Sequence, residues 1–184
     1  MTEEIIIAGF GGQGVLSMGQ ILCYGGVIEG KEVSWMPSYG PEMRGGTANC
    51  IAIISDSKIS SPILTKFDTV IALNQPSLDK FESAVKPGGL LIYEASTIIN
   101  APTRTDIDIV PIEAANEATK LNNSKVMNMI ILGAFLKKKP VITFENALDG
   151  LKKVLPERYH KLIPLNKTAM ERGMEIAESI NTPV

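Results

Sequence analysis

The sequence predicts an α/β fold, in which a mostly parallel sheet is covered by helices on both faces. Short apolar runs typical of strands alternate with helical patterns through about residues 1–112, and such alternation indicates βαβ units. The first apolar run, 4–8, leads through closely spaced glycines into an amphipathic pattern, as in the first half of such a unit. Residues 113–184 have helical patterns. We therefore predict one domain, 1–184, with a helical C-terminal third.

The strands are predicted from apolar runs that are bounded by turn residues. The segment Ser55–Lys58 is typical of a tight turn, and it leads into Ile59. This turn predicts a hairpin between the strand before it and the residues after it, so the sheet should be mixed, with an antiparallel hairpin near one edge. The predicted strands are residues 4–8, 32–36, 48–54, 68–73, 90–93 and 107–112.

The helices are predicted from apolar residues at helical spacing and from residues that begin or end helices. The first should span 14–29 and end at Gly30. Ser124 and Thr143 are suited to cap two later helices, because their hydroxyls can accept hydrogen bonds from free backbone amides. The other helices are expected at 76–85, 113–121, 124–136, after Thr143 and at 166–180. The apolar positions of the first helix are Val15, Met18, Ile21, Leu22 and the pair Val27 and Ile28.

The composition argues against several classes of protein. The formal net charge is −2, and Lys and Arg are scattered along the chain, so nucleic-acid binding is not expected. The longest apolar run, 129–136, is too short to cross a bilayer. The acidic start, Met1–Glu4, predicts no leader peptide. We expect a cytoplasmic protein that binds neither a membrane nor nucleic acid.

The cysteines and the histidine form no catalytic or metal-binding pattern. Cys23 and Cys50 stand apart without a CxxC pair, which fits a reducing compartment. They provide no ligand set for an iron–sulfur cluster or a four-cysteine zinc site. Cys23 is expected in the core, and the single histidine, His160, at the surface. We therefore predict no catalytic residue and no metal ligand in this chain.

The glycines in 9–14 have the G-x-G-x-x-G spacing of a dinucleotide-binding turn, and they lie between a predicted strand and a predicted helix. A NAD site also needs an acidic residue at the end of the second strand, where it binds the ribose hydroxyls. Glu32 instead begins that strand, and Glu42 lies in an irregular loop. A close-packed turn, a partner contact or an anion site is therefore favoured over a dinucleotide site. The candidate residues are Gly11, Gly12, Gln13 and Gly14.

The loop after the second predicted strand carries Tyr39, Glu42 and Arg44 among glycines and prolines. An arginine there suits a carboxylate or phosphate, although an internal pair with Glu42 is an equal alternative. Asn74 and Gln75 follow another strand, where they could meet a ligand or cap the next helix. Because all these segments follow parallel strands, they should share the carboxyl-end edge of the sheet, where open α/β sheets bind ligands.

Four segments together resemble the gamma subunit of 2-oxoacid:ferredoxin oxidoreductases, in order and spacing, over roughly residues 4–135. The resemblance implies a three-layer α/β/α, Rossmann-like domain. The matching segments are Gly9–Gly14 (GFGGQG), Ser38–Gly46 (SYGPEMRGG), Ala72–Gln75 (ALNQ) and Lys86–Gly89 (KPGG).

The resemblance also implies a reaction and a set of partners. Such complexes oxidatively decarboxylate a 2-oxoacid with coenzyme A, giving an acyl-CoA, CO2 and reduced ferredoxin. The best-matching subunits belong to 2-oxoglutarate and branched-chain (2-oxoisovalerate) enzymes. Thiamine diphosphate and Mg²⁺ would lie between alpha and beta subunits, and [4Fe-4S] clusters in other chains, with a ferredoxin-like delta subunit as a further candidate partner. This chain would bind none of these cofactors alone.

The resemblance assigns the glycine turn and the Tyr39–Arg44 loop to docking and to the edge of the active site, which explains why the NAD pattern is incomplete. Gly11–Gly14 could form an anion loop at the edge of a coenzyme A site, and Asn74 and Gln75 would join the interface. Two alternatives stay open: a stand-alone nucleotide-binding reductase, and a scaffolding module with no part in the chemistry.

Overall fold

A computed structural model describes residues 1–39 and 47–180, without the side chain of Tyr39. Six strands form one sheet in the order β2-β3-β1-β4-β5-β6. Short 3-10 segments are Glu82–Ala84, Ser124–Val126 and Glu157–Leu162. The strands are β1 (Thr2–Phe10), β2 (Glu32–Tyr39), β3 (Thr47–Ser55), β4 (Phe67–Ala72), β5 (Val85–Glu94) and β6 (Asp108–Ile112). The helices are α1 (Val15–Ile28), α2 (Gln75–Phe81), α3 (Ala114–Lys120), α4 (Met127–Lys138), α5 (Phe144–Val154) and α6 (Ile163–Ser179).

The sheet is mostly parallel with an antiparallel pair at one edge, as predicted. β4, β5 and β6 continue from β1 in parallel, whereas β3 is antiparallel to both of its neighbours, β1 and β2. The predicted partner of β3 was wrong, since Ile59 lies in no strand. Both sides of β3 are already paired, so no free side is left for a strand after Ser55.

The two faces of the sheet are covered unequally. Alternate residues of β1 point to opposite faces: Ile5 and Ile7 join one core cluster and Ile6 the other. The larger cluster contains the buried residues of α1, α3, α4, α5 and α6. On the opposite face, Leu78 of α2 packs with strand residues and the chain around Leu64. The result is the predicted three-layer α/β/α arrangement, with most of the helical mass on one side.

α4 lies in the centre of the larger layer and crosses α6 at a contact between two backbones. Its residues from Met129 to Leu136 are all buried. At the crossing, a Cβ atom added to Gly133 would overlap the carbonyl oxygen of Met170, and one added to Gly173 would overlap that of Ile130. Both positions therefore exclude any side chain.

Several element boundaries differ from prediction. Asn123, not Ser124, caps the turn before α4, because its side chain accepts a hydrogen bond from the Lys125 amide at 3.0 Å. Thr143 caps α5 as predicted, accepting from the Asn146 amide at 3.2 Å. β5 begins earlier than predicted, since the glycine-containing segment 86–89 is accommodated by a register shift beside β4.

The end of α1 and the start of α6 also differ from prediction. Val27 and Ile28 continue the apolar pattern of α1, yet they are 57% and 45% exposed. The helix turns them away from the sheet, and Gly30 ends α1 with a positive φ of 72°. α6 begins at Ile163, three residues before the predicted start, since Pro164 fits the first turn of a helix.

Gly173→Ala should lower the free energy of unfolding by about 2–3 kcal/mol, because the new methyl group forces α4 and α6 apart. Urea denaturation followed by circular dichroism measures the change. Glu171→Ala, at an exposed site of the same helix, is the control and should shift stability by less than about 0.5 kcal/mol. Equal midpoints for the two variants would contradict the close contact.

Candidate functional site at the carboxyl end of the sheet

The segments singled out in the sequence meet at one edge of the sheet. Gly9 and Tyr39 both pair with Ala48, through the two sides of β3. Ala8 of β1 pairs with Ala72 of β4, two residues before Asn74, and Ala72 also pairs with Tyr93 of β5. The ends of β1, β2, β4 and β5 therefore lie together, where the connecting segments of a parallel sheet form ligand sites.

The connections leave β1 and β4 in opposite directions. β1 continues through α1 toward β2, and β4 continues through α2 toward β5. The buried residues of α1 and α2 belong to clusters on opposite faces of the sheet. The gap between the ends of β1 and β4 is therefore a topological switch point, the place where doubly wound sheets open a crevice.

The carboxamide of Gln13 bridges this gap. Its Oε1 accepts a hydrogen bond from the Phe10 amide at 2.7 Å, and its Nε2 donates to the Leu73 carbonyl at 3.3 Å. A Cβ atom on Gly9 would lie 2.6 Å from this Oε1. Gly9 is thus needed to make room for a side chain of the protein itself.

Gly14 and Gly12 of the same turn differ in what surrounds them. Gly14 has a φ of 78°, and a Cβ there would overlap the amide group of Asn128. Gly12 has a φ of 89°, and no atom of the described residues lies within 4 Å of where its Cβ would be. Internal packing therefore accounts for the first and last glycines of the dinucleotide-like spacing, while the backbone at Gly12 remains free to approach a ligand.

A cavity of about 300 Å³ opens beside the turn, next to Gly12 and Gln13. Among the lining residues in 1–39 and 47–180, the only charged one is Lys125. Asn128 adds a carboxamide whose Nδ2 lies 3.5 Å from the Gly14 carbonyl. A lysine and a helix N-terminus both favour an anionic group. The other lining residues are Thr97, Ala115, Thr119, Ser124 and Met127.

Sequence reasoning did not single out Lys125, Asn128 or Thr97. They follow the glycine turn by more than 80 residues, and only the packing of α4 and the segment after β5 brings them to it. The sequence carried only a weak signal for them: Thr97 follows another predicted strand, 90–93, and Lys125 and Asn128 lie at the start of another predicted helix, 124–136.

Asn74 and Gln75 organise the edge from within. Asn74 caps α2, since its Oδ1 accepts a hydrogen bond from the Ser77 amide at 2.9 Å. Its Nδ2 is buried and finds no partner in the part of the chain that the structure describes. Gln75 accepts from the amides of Ile99 and Asn100 at 3.1 and 2.9 Å. It thereby fixes the segment that presents Ile99, which is 91% exposed.

A buried carboxylate, Glu94, holds the next segment. It accepts hydrogen bonds from the Thr97 hydroxyl at 2.6 Å, from the Thr97 and Ser96 amides, and from the Ala115 amide at 3.1 Å. Burial acts to raise the pKa of Glu94, but these donors outweigh it and the pKa lies below its usual value. The ionised group therefore fixes Thr97 at the cavity wall.

Of the predicted interface residues Tyr39, Glu42 and Arg44, the structure describes only the backbone of Tyr39. The backbone of Tyr39 ends β2 and pairs with Ala48. The side chain of Tyr39, together with Glu42 and Arg44, lies outside the described residues.

The cysteines and the histidine have structural surroundings. Burial raises the pKa of Cys23 and of Cys50 to about 12, so both are thiols at neutral pH. His160 is half-buried, with its Nε2 at 3.1 and 2.9 Å from the carbonyls of Lys152 and Leu155 at the end of α5. Within 1–39 and 47–180, no cluster of three or more acidic, histidine or cysteine side chains could hold a metal. In the same ranges no helix is long and apolar enough to span a bilayer.

Comparison with known proteins gives the family. Residues 4–176 match the pyruvate ferredoxin/flavodoxin oxidoreductase family, and the chain belongs to it. The ketoisovalerate oxidoreductase subunit VorA of Methanothermobacter thermautotrophicus is 37% identical over 174 residues, which are 95% of this chain. The chain spans only 36% of that relative's length.

Two further relatives match end to end. The 2-oxoglutarate synthase subunit KorC of Methanocaldococcus jannaschii is 30% identical, with 98% of this chain and 96% of that subunit covered. The crystal structure of the gamma subunit of a keto/oxoacid ferredoxin oxidoreductase from Geobacter sulfurreducens superimposes with a TM-score of 0.82 at 28% identity. That alignment covers 97% of this chain and 99% of the subunit.

Gln13→Ala should loosen the glycine turn, because it removes both hydrogen bonds that tie the turn to β4. We expect faster amide hydrogen exchange at Phe10 and about 1 kcal/mol lower stability. In Gln13→Glu, the carboxylate can still accept from Phe10 but cannot donate to Leu73, so the effect at Phe10 should be smaller. Exchange at Phe10 that matches the wild type in Gln13→Ala would show that the bridge does not hold the turn.

Proposed function

We propose that this chain is the gamma subunit of a 2-oxoacid:ferredoxin oxidoreductase complex. The complex would oxidatively decarboxylate a 2-oxoacid with coenzyme A, giving an acyl-CoA and CO2 and passing the electrons to ferredoxin. The observation that carries the proposal is the family match over residues 4–176, supported by the end-to-end match to KorC.

The substrate we propose is 2-oxoglutarate or 2-oxoisovalerate. Both follow from the names of the relatives, since VorA is a ketoisovalerate oxidoreductase subunit and KorC a 2-oxoglutarate synthase subunit.

In this proposal the chain contributes no cofactor ligand. Thiamine diphosphate, Mg²⁺ and the [4Fe-4S] clusters belong with the alpha, beta and ferredoxin-like delta subunits. Two lone cysteines cannot ligate a cluster, and both are buried thiols with a pKa of about 12. Such thiols also fit a reducing cytoplasm, where we place the complex.

The polar edge would bound the coenzyme A site. Lys125 can pair with a phosphate or carboxylate, and the open backbone at Gly12 lets such a group approach closely. Residues Gly11–Gly14 would form this anion loop. We assign the rim of the edge to contact with the catalytic subunits, and its residues are Tyr39, Glu42, Arg44, Asn74 and Gln75.

A stand-alone nucleotide-binding reductase is less well supported. The switch-point gap that would take a pyrophosphate is bridged by Gln13. Glu32 at the start of β2 pairs with Ser55, at the edge opposite to the glycine turn.

Purification of the tagged chain, expressed at native level in its own organism, tests the proposal. We expect other subunits to co-purify, with viologen reduction that requires both a 2-oxoacid and coenzyme A. Rates with 2-oxoglutarate, 2-oxoisovalerate and pyruvate then identify the substrate. Assays that omit coenzyme A or the 2-oxoacid are the controls. A chain that purifies alone and stays inactive with the candidate partners would contradict the proposal.

Lys125→Ala in the assembled complex should raise KM for coenzyme A about tenfold, as expected for one lost charged contact, with KM for the 2-oxoacid unchanged. Steady-state kinetics measure both constants. Lys120→Ala, on the exposed side of α3, removes a lysine away from the cavity and should leave both constants unchanged. An unchanged KM for coenzyme A in Lys125→Ala would favour a purely scaffolding role for this chain.

A further inference from the structure

α1 is a surface helix without a single charged residue. Its sequence from Val15 to Ile28 contains no Asp, Glu, Lys, Arg or His. A helix that packs on a sheet and faces water on its other side usually carries charges there, whereas a helix that is apolar all round is usually buried. The outer side of α1 therefore has the composition of a covered surface.

Three exposed apolar residues form a stripe on this outer side. Tyr24, Val27 and Ile28 are 46%, 57% and 45% exposed, and their spacing of three and four residues puts them side by side on the helix. A groove of about 250 Å³ runs next to the stripe. The described residues that line it are uncharged: Gln20, Cys23, Tyr24, Val27, Val33 and Trp35.

The groove reaches β2, which is one of the two edge strands of the sheet. Among the described residues, no strand pairs with the outer side of β2. Natural edge strands are usually protected by charges, but β2 has only Glu32, at its start. Pro37 has no backbone N–H to donate to a further strand, as is common in edge strands. We therefore expect a partner here to be held mainly by side-chain contacts. The stripe, the groove and the outer side of β2 are together called the α1–β2 flank.

The relatives indicate what covers the flank. VorA continues well beyond the matched region, which is 36% of its length, so there the domain is joined to a large further part of the protein. KorC ends close to the matched region, so a domain of this size can also be a separate subunit. Permanent subunit contacts are more apolar than transient ones, and the flank is apolar where the carboxyl edge is polar.

We infer that the α1–β2 flank is the docking surface for another subunit of the same complex, one that presents an uncharged, apolar surface and corresponds to the rest of VorA. This inference rests on the proposed function. It adds a second contact to the domain: the apolar flank holds the subunit in the complex, while the polar carboxyl edge bounds the ligand site and meets the catalytic subunits at its rim.

Val27→Lys tests the inference in the full chain, purified from its own organism. The lysine puts a charge in the middle of the stripe, at a side chain that is 57% exposed, so thermal melting of the variant should match that of the wild type. We expect about tenfold less of the other subunits to co-purify, with a matching loss of viologen reduction. Tyr24→Lys, on the same stripe, should reproduce this loss.

Ile63→Lys is the matched control, because Ile63 is 76% exposed in the segment before β4, away from the flank. It should assemble like the wild type. Normal assembly of Val27→Lys would overturn the inference and leave the proposed function intact. Failure of the wild type to assemble would contradict the proposed function itself. An isolated wild-type dimer that Val27→Lys converts to monomers, with assembly retained, would assign the flank to a second copy and overturn the inference.

Discussion

The position of β3 between β1 and β2 sets the arrangement of the rest of the molecule. β1 and β2 point the same way but are not neighbours, so α1 must cross over β3 to connect them, and it packs on all three strands. The same position makes β2 the outermost strand and leaves β4 to pair with the other side of β1. The end of β1 therefore lies beside the end of β4, where the connections diverge and a crevice is expected.

At that crevice the glycine turn makes hydrogen bonds within the chain where a dinucleotide site would leave its amides free. The pyrophosphate of a dinucleotide is bound by free amides of the glycine turn, but here the Phe10 amide donates to Gln13, which also donates to the Leu73 carbonyl. The turn is thereby tied to the sheet without a ligand. What remains open lies to one side, where Lys125 and the backbone of Gly12 meet the cavity. The strand–turn–helix geometry is thus that of a dinucleotide-binding turn, while the candidate ligand surface lies beside the turn.

The sequence predicts the features that depend on local patterns. Apolar runs predict the six strands, and the segments after β1, β2 and β4 share one edge because parallel strands end together. The pairing of β3 was missed, because a turn after Ser55 indicates where a strand ends and not which sides of it are already paired. Lys125, Asn128 and Thr97 were missed since they reach the glycine turn only through tertiary packing. Glycine spacing alone could not distinguish a ligand from Gln13.

Val27 and Ile28 show a deeper limit of periodicity. Their spacing continues the apolar pattern that predicts α1, yet the structure leaves them 57% and 45% exposed. An apolar pattern along a helix indicates which side chains avoid water. It does not distinguish burial in the chain's own core from burial against another subunit. Single exposed apolar residues are common on protein surfaces, but a contiguous apolar stripe on an uncharged helix is typical of an interaction surface. In the proposed complex, such positions would contribute through subunit contact rather than through chemistry.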